Sequence, residues 1–199
     1  DAEEVNQMLS SKDIVTYMIP DEDSEGIRKN TRLAMIGGTS QIRSGTNRKK
    51  TLAHDQLVGQ ISTYAGSVVL TGSPQGYWKA RDKANKNPHK GDGGVDIIGL
   101  SNVDIKGSLM RYSSDPLSYR LLVRPRERHD GWIYVLGMVP ENPKPIGSRP
   151  YKCHLVGWSY DKDLPETPYE GRIKLLHGAY LIKGRQLRPI SQLKTLLEQ

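Results

Sequence analysis

From residue 95 to residue 160 the chain passes through five apolar segments of strand length, 95–100, 103–110, 119–123, 132–139 and 151–160, each closed by turn-forming residues. That rhythm requires a sheet-centred second half. The stretch before it keeps a different period. Leu52, Leu57, Val58 and Ile61 recur at helical spacing within residues 50–64, and Gly66 is placed to end that helix. A long helix ahead of the strands and a mixed tail over 170–199 predict an α/β fold with a central mixed β-sheet flanked by helices.

The other segments read as connections. Residues 67–71 are expected to form a brief strand. Residues 72–94, rich in Gly, Pro, Asn and Lys, read as a long polar loop of a length that points to function. Residues 5–17 carry a weak helical period through Val5, Met8 and Leu9, after which Pro20 and its acidic neighbours read as a linker. The chain thus divides into an acidic N-terminal segment, 1–25, and a single domain, 26–199, with its core over about 50–199.

Charge separates the same two regions. Of 29 bases and 22 acids in a chain of net charge +7, residues 1–25 hold one base and eight acids, which leaves the remainder at +14. Arg28, Lys29, Arg32, Arg43, Arg48, Lys49 and Lys50 follow one another without an intervening acid. Such a body attracts polyanions, DNA foremost. No run approaches the roughly 20 apolar residues of a membrane-spanning helix, so no membrane role is expected. The single cysteine, Cys153, excludes an intrachain disulfide and multi-cysteine zinc sites and fits a reducing, cytoplasmic setting.

The densest chemistry lies in residues 91–106, GDGGVDIIGLSNVDIK. On a strand, Asp104 and Lys106 project from one face while Ile105 points into packing on the other. Asp96 opens the preceding strand. It joins that face if the connection around Ser101 is of odd length or bulged, and is turned away by a two-residue turn at Ser101-Asn102. Two carboxylates and a lysine on one face suit a hard divalent cation, Mg²⁺ or Mn²⁺, with the lysine free to orient water or offset developing charge. The bare acid–x–lysine spacing also occurs as decoration of exposed strands.

Several ordered pieces together are more specific than that spacing. GDGGVDIIG followed by NVDIKGS resembles the core of the restriction-endonuclease-like nuclease superfamily, written PD-(D/E)XK. Residues 121–123, 130–137, 155–158 and 187–193 are similar to the later strands and tail of a phage and bacterial branch of it. The resemblance covers about residues 50–199 and implies a restriction-endonuclease-like fold. It implies Asp96, Asp104 and the Ile105 carbonyl as metal ligands and Lys106 as the catalytic lysine. The chain departs from the branch at Thr63, where the pattern of the preceding helix has a glutamate; Gln60, Asp55 or Gln56 could substitute, and Gln60 sits one turn before Thr63.

DNA contacts are expected from Arg48, Lys49 and Lys50, from Arg111, and from Tyr77, Trp78, Lys79, Arg81, Lys83, Lys86 and Lys90, which combine stacking rings with phosphate-seeking bases. Competing chemistries lack their residues. The five histidines show no zinc spacing and no GxSxG elbow is present. Cys153 and His154 point to opposite faces of a strand, and residues 91–94 lack the GK[ST] ending of a nucleotide-binding loop. The expected function is a Mg²⁺-dependent deoxyribonuclease, endo- or exonuclease, in the cytoplasm of a bacterial or phage-infected cell. Its alternatives are a nuclease-derived DNA-binding module without hydrolysis, and a structural or protein-partner component of a phage or mobile element. The oligomeric state stays open, a dimer included.

Overall fold

The computed structural model describes residues 8–36, 48–87, 95–140 and 150–199, with side chains from residue 53 onward in the second stretch. In chain order the elements are β1 (Val15–Met18), α1 (Asp21–Ile36), α2 (Arg48–Thr71), α3 (Gln75–Lys86), β2 (Val103–Leu109), β3 (Arg120–Val123), β4 (Ile133–Val139), β5 (Lys152–Tyr160), β6 (Tyr180–Lys183) and α4 (Ile190–Leu197), joined by short 3-10 turns. Four strands form one sheet in the order β1-β5-β4-β2, while β3 and β6 form a separate antiparallel pair. Within the larger sheet β2 runs parallel to β4 and the other pairs are antiparallel. The architecture is α/β with a central mixed sheet. Among the described residues no helix is long and apolar enough to cross a membrane.

Strand β4 is buried along its whole length and feeds two cores. Ile133, Val135 and Val139 pack with Ile27, Leu57, Ile61 and Tyr77 of the helices. Tyr134, Leu136 and Met138 pack with Leu121, Val123 and Leu187 on the side of the small sheet. A strand covered on both faces carries no polar alternation, which is why its sequence reads as an unbroken apolar run. In β2, Val103 and Ile105 join the helical core, so Asp104 and Lys106 are turned away from it.

Two glycines bring α2 down onto the sheet. Gly107 and Gly137 are partners across the β2–β4 ladder. A Cβ on Gly107 would stand 2.5 Å from Ser62 Oγ, and one on Gly137 3.0 Å from Ser62 Cβ. Gly66 plays the same part from the helix side, where a Cβ would meet Ile105 Cδ1 at 3.0 Å.

That close contact explains one correction to the sequence reading. Gly66 does not end the helix; α2 continues to Thr71, and residues 67–71 are helical rather than a strand. Burial of Leu70 in the shared core outweighs the strand preference of its β-branched neighbours. The 72–94 segment is not a continuous loop either, since residues 75–86 form α3, whose buried Tyr77, Ala80 and Ala84 recur at helical spacing among the lysines. Residues 95–100 are not a strand. They turn through Leu100 N–H to Ile97 O and Val103 N–H to Leu100 O, with Gly99 at φ +98°. The N-terminal region departs most. Residues 15–17, expected within a helical stretch, lie in β1 against β5, and the acids expected in a linker open α1. Asp21, Glu22 and Asp23 complement the positive end of that helix, and Glu25 pairs with Arg28 at 3.0 Å.

Candidate functional site

Strand β2 ends the four-stranded sheet, so one of its edges has no strand neighbour among the described residues. There the Ile105 N–H donates to Asp96 Oδ2 at 3.2 Å, a carboxylate standing in for the missing ladder. Asp96 therefore reaches β2 from a turn, and not through the strand and connection around Ser101 considered from sequence. Its side chain lies near enough to that of Asp104 to influence that carboxyl. Lys106 Nζ lies 2.8 Å from Asp104 Oδ2 and 3.2 Å from Glu127 Oε2. The two acids and the lysine are thus brought together.

A cavity of about 230 Å³ opens beside them. Asp96, Asp104 and Ile105 form one part of its lining; Asp55, Gln56, Gly59, Gln60 and Thr63 of α2 and Arg81 of α3 form the rest. Gln60 is buried and its Oε1 accepts from the Tyr77 hydroxyl at 2.8 Å. The Thr63 hydroxyl donates to the Gly59 carbonyl of its own helix at 2.9 Å and brings no charge to the cavity. Asp55, at the rim, lies 3.8 Å from the Arg111 guanidinium, both side chains largely exposed.

Burial dominates the electrostatics. It pushes the Asp104 carboxyl above the ordinary range, and nearby Glu127 adds to the effect, while Lys106 and Asp96 act against it. For Lys106 burial alone would lower the ammonium, but Asp104 and Glu127 outweigh it and hold the group above its usual value. Lys106 therefore stays charged through the neutral range.

Glu127 was not singled out from sequence. It sits in the 3-10 turn Pro125–Glu127, where its carboxylate also accepts from the Arg124 N–H at 3.0 Å. The legible signal was a proline followed two residues later by an acid, the pattern of a capped turn.

The expected DNA-binding set is divided by the fold. Tyr77 is fully buried, so its ring has no face to offer a base, and Trp78 is half-buried with its indole against Gly26 and Tyr64. Tyr77 is a correction, because the helix that carries it turns it inward. Arg81 shares the inward side and reaches the cavity, whereas Lys79, Lys83 and Lys86 are exposed at helical spacing. Arg111 is exposed. Lys90 lies outside the described residues, as do the side chains of Arg48, Lys49 and Lys50, whose backbone opens α2.

Among the described residues no three His, Cys, Asp or Glu side chains form a group able to hold a metal ion. The cavity still offers oxygen donors of one chemical kind, two neighbouring carboxylates beside the Ile105 backbone. Neighbouring carboxylates are stabilised by a shared proton or a shared cation, and oxygen donors select a hard divalent ion over a thiophilic one. Asp96 and Asp104 are donors of the kind that such an ion takes. Set beside known proteins, the chain matches no family model, and neither a curated protein nor a solved structure matches it.

Proposed function

We propose that the chain is a metal-dependent deoxyribonuclease with a restriction-endonuclease-like core. The observation that carries the reading is that Asp96, although outside any strand, is tied to the Ile105 N–H and so lines one cavity with Asp104, the partner of Lys106. Asp96 and Asp104 are the residues that would hold Mg²⁺ or Mn²⁺, with the Ile105 backbone beside them. Such an ion supplies polarisation of a phosphodiester and a water of lowered pKa. Lys106 is kept charged and is fixed between two carboxylates, where it can orient a water or offset charge that develops on phosphoryl oxygens. Exposed Lys79, Lys83 and Lys86 extend the positive surface along α3 from Arg81 and offer phosphate contacts.

The test is a cleavage panel with Mg²⁺ and Mn²⁺ over supercoiled, linear, single-stranded and branched DNA. At least one substrate is expected to be cut, and Asp104→Asn and Lys106→Ala each to slow the cut by about 10² to 10³-fold. An uncut panel defeats the proposal. Thr63 favours a second reading, a DNA-binding module without turnover, because no carboxylate occupies that place on α2 and the hydroxyl there is spent on its own helix. Salt-sensitive DNA binding with no cleavage under either metal supports that second reading.

A further inference from the structure

Building on the nuclease reading, we infer that Gln60 and Arg81 are the phosphate-gripping side of the cavity, donating hydrogen bonds to the nonbridging oxygens of a phosphodiester, and that Gln60 is not a substitute metal ligand.

The inference starts from a buried relay that crosses three helices. Asn85 Nδ2 on α3 donates to Asn30 Oδ1 on α1 at 3.1 Å, and Asn30 Nδ2 donates to the Tyr77 hydroxyl at 3.2 Å. That hydroxyl passes its own proton to Gln60 Oε1 at 2.8 Å. The relay runs in one direction, so its last member is an acceptor. Gln60 is 7% exposed and lines the cavity. Tyr77 takes one of the two lone pairs of the amide oxygen and fixes which way the amide faces, and the NH₂ on its other arm can only donate. A metal ion needs the opposite polarity.

Arg81 adds a second donor to the same cavity from α3. Its guanidinium carries its N–H groups as a planar fork, the geometry that matches phosphate oxygens. The cavity therefore has two chemically distinct parts: a pair of acids at the free edge of β2, and an amide with a guanidinium from the helices. A phosphodiester is the substrate group that carries anionic oxygens for the second part while needing a cation such as the first would hold.

Equilibrium binding of a fluorescein-labelled DNA duplex, measured by anisotropy in EDTA so that turnover does not deplete the probe, tests this without relying on catalysis. Arg81→Gln is expected to weaken binding by about tenfold and to reduce the slope of log affinity against log salt by about one. Gln60→Glu is expected to weaken it by a similar factor, since it replaces a donor with an anion of the same shape. Arg81→Lys is expected to restore most of the affinity, and Lys194→Ala, which removes one charge from α4, to leave it within about twofold. Gln60→Glu is isosteric and decides the matter alone if Arg81→Gln fails to fold.

Binding by Gln60→Glu and by a folded Arg81→Gln within twofold of the unmodified chain overturns the inference. So does a Gln60→Glu variant that cleaves faster with Mg²⁺, as expected of a restored ligand. A wild-type chain that binds DNA through Arg81 and Gln60 but cuts nothing removes the nuclease reading and leaves the phosphate-gripping wall standing.

Discussion

Replacing Gly107 by alanine strikes the packing on which the site depends. The added Cβ would lie 2.5 Å from Ser62 Oγ, 2.9 Å from Ser62 Cβ and 3.0 Å from the Val58 carbonyl oxygen. Nonbonded heavy atoms settle at about 3.5 Å or more, so relief requires α2 to rise by up to about 1 Å. A rotation of Ser62 removes only the first contact, because its Cβ and the Val58 carbonyl are fixed parts of the helix. Sliding toward β4 is blocked too, since a Cβ on Gly137 would already be 3.0 Å from Ser62 Cβ. Overpacking of this kind costs about 1–3 kcal/mol, and a loss of about 2 kcal/mol lowers Tm by about 4–8 °C in a chain of this size. Urea unfolding followed by circular dichroism measures it. Ser62→Gly in the same chain removes two of the three clashes, so the double variant is expected to be more stable than additivity allows by about 1 kcal/mol. A Gly107→Ala chain within about 0.5 kcal/mol of the unmodified one, or strict additivity with Ser62→Gly, refutes the argument. Gln60 and Thr63 flank Ser62 on α2, so the same lift is expected to weaken DNA binding in protein that is still folded.

Other measurements address the burial of two titratable groups. Cys153 is fully buried, and burial pushes its thiol up to about 12 against weaker opposing bonds from Ser62 and the Met138 backbone. At pH 8 the thiolate fraction is then about 10⁻⁴, so native protein is expected to resist iodoacetamide while urea-unfolded protein reacts promptly; rapid native labelling contradicts this. For His154, burial and then Lys152 hold the imidazole below its ordinary value, and Nδ1 is 2.6 Å from Thr16 Oγ1 across the β1–β5 pair. The unfolded chain therefore takes up a proton that the folded chain refuses, and stability falls as pH drops through and below the ordinary imidazole range. The urea midpoint is expected to fall more between pH 7 and pH 5 in the unmodified chain than in His154→Gln, and equal slopes count against it.

What the residues alone determined follows from local periodicity. The strands β2, β3, β4 and β5 lie close to where apolar runs and turn residues put them, and the face shared by Asp104 and Lys106 is a property of any extended segment. The start and apolar stripe of α2 were legible for the same reason. Its end was not, because Gly66 signals termination locally while in the fold it makes room for Ile105. α3 was hidden by its lysines, and with it the inward direction of Tyr77 and Arg81, since which side of a polar helix is covered depends on what lies above it. The meeting of Asp96 with Asp104 belongs to tertiary structure alone: it needs an edge strand with an unclaimed N–H and a turn that delivers a carboxylate to it. Glu127 reaches Lys106, and the Gln60 oxygen is held by Tyr77, through partners far away in the chain. Short-range sterics set the period of each segment, whereas a site is assembled from groups that only the packing of separate segments can place within hydrogen-bonding distance.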